Sequence, residues 1–250
     1  MLSKIKNLIV FLVIVLFATQ LYSKDFPVIV IAPSKKPQSI STVGTSVVVL
    51  DEKFLENTNE FFLGDVLAGN STSINFFQNG GYGATSAIQL RGLPKRYSTV
   101  YIDGIKMSDP SSVSGDFDFN HILTSQISRV EILKGNQSSV YGSGAIGGTI
   151  NITTKKGKPG LQKNISYITG SHGTNNLYAS YSGADDNNNF YIGFERFQTD
   201  GISQMMHNEE KDRYRNNTLV LNYAHEFSDN LKFEGNSRVA DTYLQYDKEV

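Results

Sequence analysis

Gly142, Gly144 and Gly147 lie in the stretch VYGSGAIGGTINITTKKG, Val140 to Gly157, and spell G-x-G-x-x-G. That spacing cradles a pyrophosphate when a strand precedes it, a helix follows it, and an acidic residue comes about 20 residues later. Here the glycines run into Thr149, Ile150, Asn151, Ile152, Thr153 and Thr154, a β-branched run that reads as a strand. The acidic position falls near Ser166, Tyr167 and Ile168, and the next carboxylate is Asp185. Without helix or acid the nucleotide reading fails. Glycine also permits positive φ and close backbone approach, and these glycines are expected to serve packing and turning.

Other chemistry is as thin. His121, His172, His207 and His225 are scattered, and there is no cysteine, so no metal-ligand spacing emerges. No grouping of serine, histidine and carboxylate suggests a hydrolase. The expectation is a chain with no catalytic residues, no metal site and no cofactor. A net charge of −1 over 250 residues gives no basic surface for nucleic acid.

The elements that hold these residues begin with a leader. Lys4 and Lys6 precede Leu8–Phe17, an unbroken run of ten apolar residues. Spanning a bilayer takes about 20, so residues 1–23 read as a secretory signal peptide, cleaved after Ser23. Loss of two lysines takes the charge from −1 to −3. An exported chain without cysteine draws its stability from packing or from a membrane.

Two regimes follow. Up to about Lys158 the pattern is mixed and punctuated by glycine. Ser46–Leu50, Ala87–Arg91, Thr99–Asp103 and Ile127–Lys134 read as strands; Asp51–Asn57 and Phe61–Ala68 read as short helices, with Asp51 as N-cap. Asp103-Gly104 reads as a hairpin turn. This half is expected to be a small α+β domain. From about Leu161 the period changes to two. Phe190, Ile192 and Phe194 alternate with Tyr191, Gly193 and Glu195. Leu219, Leu221 and Tyr223 alternate with Val220, Asn222 and Ala224, and Leu231 and Phe233 with Lys232 and Glu234. Short connections at Ala184–Asn189 and Ser228–Asn230 bracket a long one at Thr199–Arg213. A soluble one-faced sheet would show the same alternation. The alternation of short turns with a long loop favours an outer-membrane barrel, apolar outside and polar within.

Four blocks then carry a resemblance: AIQLRG (Ala87–Gly92), VYIDGIK (Val100–Lys106), SRVEILKG (Ser128–Gly135) and SSVYGSGAIGGTINITTK (Ser138–Lys155). They resemble the plug domain of the TonB-dependent outer-membrane receptors, and the likeness runs from about Phe26 to the C-terminus. The resemblance implies an α+β plug inside a transmembrane antiparallel β-barrel. It divides the chain into a signal peptide at 1–23, a TonB box and linker at 24–40, a plug at 41–158 and the first barrel strands at 159–250. Roughly five strands precede Val250, too few to close, so either a longer protein or a truncated reading frame is expected. Val28, Ile29, Val30, Ile31 and Ala32, between Pro27 and Pro33, are similar to a TonB box, which pairs by β-augmentation with a partner's sheet edge. A plain first plug strand is the alternative.

FFQNGGYGATSAIQLRG (Phe76–Gly92) and SSVSGDFDF (Ser111–Phe119) look most like the cobalamin receptor subgroup. The match places Thr85, Ala87, Val113 and Ser114 at ligand-contacting positions. Pro94 departs from the subgroup's asparagine, and the Val113-Ser114 match needs a shift of one residue. Asp200, Glu209, Glu210 and Asp212 lie where the subgroup binds calcium, but their spacing reads better as a solvated loop. Arg91 and Glu131 are expected to anchor the plug to the barrel. The implied function is active import of a scarce nutrient, cobalamin first, with a ferric siderophore or haem as rival. The implied partners are TonB, the small-molecule ligand and outer-membrane lipid, with the outer membrane as location. A soluble periplasmic module built from the plug alone is the reading from another class.

Overall fold

The computed structural model describes residues 28–245, except 33, 71–72, 113–114, 116, 204–210 and 229. The expected leader therefore lies outside the described residues.

The first half is an α+β body. It opens with a small hairpin, β1 (Ile29–Val30) against β2 (Gln38–Ser39). Next come β3 (Ser46–Leu50), α1 (Glu52–Glu56) and α2 (Leu63–Gly69). The Asp51 side chain accepts the Phe54 amide at 2.8 Å, the expected cap. The hairpin of β4 (Ile74–Gln78) and β5 (Ser86–Leu90) follows. Then come β6 (Ser98–Ile102), β7 (Ile105–Met107), β8 (Ile127–Lys134), α3 (Ser138–Tyr141) and β9 (Gly148–Thr154). At the β6–β7 turn Asp103 and Gly104 both take positive φ, 48° and 82°, as a two-residue hairpin of matching twist requires.

Five strands form one mixed sheet in the order β3-β8-β9-β6-β7. β9 sits at its centre, antiparallel to β8 and parallel to β6. Strands buried on both faces carry near-continuous apolar and β-branched runs, which is why the residues after the glycines read as strand. Leu63, Val66 and Leu67 of α2 pack on Val130, Ile132, Ile150 and Ile152 to make the core.

The second half is a meander. β10 (Gly160–Thr169), β11 (Asn175–Ala184), β12 (Asn188–Thr199), β13 (Tyr214–Ser228) and β14 (Leu231–Leu244) pair antiparallel in sequence order. They form an open sheet, not a closed barrel, wrapped around one side of the body. Its polarity is inverted relative to a water-soluble sheet. On β12 Tyr191, Glu195 and Phe197 point at the body and are almost wholly buried, while Ile192 and Phe194 are 44% and 39% exposed. Leu221, Tyr223, Phe233 and Val239 continue the exposed apolar face across β13 and β14.

Candidate functional site

The segment Val28–Ala32 is not free. Val30 and Ala32 are buried, whereas Val28, Ile29 and Ile31 face outward. One edge of β1 pairs with β2, Ile29 opposite Ser39 and Val30 opposite Gln38. The other edge meets side chains from β8. The buried Glu131 carboxylate accepts the backbone amides of Ile31 at 3.0 Å and Ala32 at 2.7 Å. It also takes the Arg129 guanidinium at 2.7 Å, and Arg129 donates onward to the Ile29 carbonyl at 2.5 Å. The Tyr141 hydroxyl donates to the Ala32 carbonyl at 2.5 Å. Burial pushes that phenol up to about 12, so it keeps its proton. Glu131 was expected to anchor the body to the long sheet. It instead caps the N-terminal segment, because that segment folds back over β8 and a buried carboxylate needs donors within reach. Arg91 leaves β5 at a positive φ of 57° and lies against Gly135.

The glycine run does structural work. Gly147 donates to the Tyr97 carbonyl at 2.8 Å and accepts the Gly135 amide at 3.0 Å. Gly148 has φ 148°, and a β-carbon there would collide with the Leu133 carbonyl oxygen. These amides and carbonyls are committed to the body's own backbone.

Several cavities lie between the body and the long sheet, and two of them adjoin. The first, about 540 Å³, is lined by Asp65, Tyr82, His172, Thr199 and Ile202 among others, on the side of the long 199–213 connection. Burial, with the neighbouring Glu60 second, pushes the Asp65 carboxyl up to about 6. Burial likewise raises the Tyr82 phenol. The second cavity, about 620 Å³, is lined by Thr58, Ser125, Asn176, Tyr178 and Glu195 among others. Of the expected ligand residues, Thr85 is exposed and Ala87 half-buried on β5, opposite Phe77. They share one hairpin, and neither lines these cavities. Val113 and Ser114 fall outside the described residues. The cavity residues escape sequence reasoning because they come from separate elements and share no local spacing. Asp200 engages Lys211 at 3.3 Å and Arg213 at 3.6 Å, and Glu209 and Glu210 are outside the described residues.

Polar contacts bind body to sheet. His121 Nδ1 shares a 2.8 Å hydrogen bond with the Tyr214 hydroxyl, and Arg238 donates to the His121 carbonyl at 2.5 Å. Burial holds the His121 imidazole below its usual range, so the neutral ring is favoured. Glu195 accepts from Ser125 Oγ and, at 2.9 Å, from Asn176. Asn222 donates to Thr154 Oγ1 and to the Lys155 carbonyl, both at 2.7 Å, and Asn189 makes a reciprocal pair with the Gly157 backbone at 2.8 Å. The last body strand and the segment leaving it are thereby fixed to the sheet.

Residues 39–149 match the TonB-dependent receptor plug domain. The chain carries a TonB-dependent receptor plug domain. The vitamin B12 transporter BtuB of Vibrio cholerae is 27% identical over 224 residues, covering 88% of this chain and 36% of the relative. The chain thus spans about a third of the length of that curated relative. Among solved structures, the pyoverdine outer-membrane receptor FpvA of Pseudomonas aeruginosa PAO1 shares the fold with TM-score 0.72 at 16% identity, over 86% of this chain and 30% of that one. The ferric yersiniabactin uptake receptor FyuA of Yersinia pestis gives 0.60 at 20% identity, over 79% and 31%. The body holding the glycine run is therefore a plug domain of the TonB-dependent receptor type, and the likeness in fold to these receptors extends over most of the chain.

Proposed function

We propose that this chain is the plug and first wall strands of an outer-membrane receptor that actively imports a scarce nutrient, cobalamin first. Residues 1–23 serve as export signal, 24–40 as TonB box and linker, 41–158 as plug, and 159–250 as the opening strands of a transmembrane barrel. The inverted polarity of the long sheet carries this reading. Apolar side chains face away from the plug where lipid would lie, and Glu195, Asn216 and Thr218 are buried against it.

Import of this kind needs an outside source of work. A nanomolar ligand is held by about 12 kcal/mol, and one charge crossing about 100 mV supplies about 2.3 kcal/mol. Several charges' worth of inner-membrane energy must reach the plug. A TonB strand paired with Val28–Ala32 is the route proposed, and the exposed Val28, Ile29 and Ile31 support it.

The test is uptake of labelled cobalamin and of ferric siderophores by cells that carry or lack the full reading frame, with and without TonB. TonB-dependent cobalamin uptake that vanishes with the gene is expected. Uptake of a ferric siderophore alone moves the ligand to that class. Recovery of the protein as a freely soluble periplasmic species overturns the receptor reading.

A further inference from the structure

The two cavities share two lining residues, Glu60 and Phe61. What separates them is aromatic. Phe197 on β12 is fully buried. Three plug rings close on it: Phe61 at 5.1 Å, Phe62 at 5.0 Å and Tyr82 at 5.1 Å between centroids. Phe197 is an apolar interruption on a polar face. Two residues away on the same face of β12, Thr199 lines the first cavity; two residues the other way, Glu195 lines the second. A strand rises about 3.3 Å per residue, so the barrier between the cavities is a single layer of rings. The start of β11 repeats the order, with Thr174, just before the strand, in the first cavity and Asn176 in the second.

We propose that Phe61, Phe62 and Tyr82 close on Phe197 as an aromatic seal, and that the two cavities are halves of one passage for small hydrophilic cations beside the plug. The inference rests on the receptor reading. Phe61 is the moving part, since it is half-buried and borders both cavities, whereas Phe62 and Phe197 are core. Cations are favoured by the carboxylates on the way: Asp65 and Glu60 in the first cavity, and Glu60 again in the second. The basic residue there, Lys155, is paired with Glu56 at 2.9 Å. Closed rings exclude water from the waist and stop leakage.

The test is conductance of the full-length receptor in planar bilayers. The unaltered protein and Phe54→Ala, a substitution of an exposed residue on α1, should stay closed. Phe61→Ala should raise the current at least tenfold and pass potassium in preference to chloride. A Phe61→Ala protein as tight as the unaltered one, or a current without cation preference, overturns the seal. A second measurement uses an introduced thiol, read against the same receptor without it, since residues 1–250 hold no cysteine. Thr58→Cys, in the second cavity, should react with an impermeant thiol reagent added outside intact cells at least tenfold faster when combined with Phe61→Ala; equal rates overturn the proposal. If the unaltered protein never enters the outer membrane, the receptor reading falls and the seal with it. If it enters and Phe61→Ala changes neither readout, the seal alone falls.

Discussion

Glu131 and Ala32, 99 positions apart, meet where the Ala32 amide donates to the buried carboxylate at 2.7 Å. The contact matters because β-augmentation needs a free strand edge. In this structure β2 occupies one edge of the N-terminal segment, and Glu131 with Arg129 occupies the other. If Val28–Ala32 is the TonB box proposed above, a partner strand and the plug compete for the same backbone groups. Glu131→Gln removes the charge and one of the acceptor oxygens. A hydrogen bond to a charged group contributes about 1.5–3 kcal/mol, so exchange of the Ile31 and Ala32 amides should quicken at least tenfold. Association with TonB should strengthen. Unchanged exchange by mass spectrometry would show that the carboxylate does not hold the segment.

Val30→Pro should act with the opposite sign on TonB. Proline removes the amide at the middle of the segment and resists a regular ladder. The segment loosens, as with Glu131→Gln, yet cannot pair well once free. Nutrient binding at the cell surface should stay within about twofold while uptake falls at least tenfold, a split between two phenotypes that simple unfolding would not give. Retained uptake would take the TonB box away from Val28–Ala32.

Gly148→Val should prevent assembly. The residue has φ 148° and abuts the Leu133 carbonyl, which belongs to a rigid strand. Strain and overpacking together cost about 3 kcal/mol or more. Gly147→Ala is milder, because its β-carbon would stand 3.1 Å from the Tyr97 carbonyl and 3.3 Å from Leu93 Cδ1. The amount of folded receptor in the outer membrane should order as unaltered, Gly147→Ala, Gly148→Val. Normal assembly of Gly148→Val would contradict the packing account.

Asp65 gives a pH dependence of stability. Its carboxyl is raised from 3.8 to about 6, first by burial and then by Glu60. Between those values the folded state holds more protons than the unfolded chain, so stability falls as pH climbs from about 4 to about 6. Asp65→Asn removes the penalty. It should stabilise the detergent-extracted protein at pH 7 by about 1 kcal/mol, allowing for screening in a half-open cavity, and change little at pH 4. Denaturant midpoints at the two values check this. An equal effect at both would mean that the charge is not the cause.

The residues that could be read in advance were those whose signal is local. Asp51 as a cap, the Asp103-Gly104 turn, the β-branched run after Gly148 and the alternation from Phe190 to Phe233 each declare themselves within a few positions. β4, whose Ile74–Gln78 carries no clear alternation, did not. The functional geometry was less legible. Glu131 looked like an anchor because its partners, the amides of Ile31 and Ala32, lie a hundred positions upstream. Phe61 looked like one more apolar residue at a helix start; only its packing on Phe197 sets it between two cavities. Thr85 and Ala87 came from resemblance, and their hairpin places them beside one another without lining either cavity.

The inverted polarity of the long sheet bears on how such a protein reaches its destination. Polar residues interrupt every one of its strands, so none of them offers the roughly 20 consecutive apolar residues that would lodge in a bilayer as a helix. The same strands, once extended in an aqueous compartment, present Leu161, Ile165, Tyr167 and Phe233 beside unpaired backbone edges, a combination that favours aggregation. On the receptor reading proposed above, shielding of these intermittent greasy positions in transit is what the sheet's polarity would require until a second bilayer takes over that task.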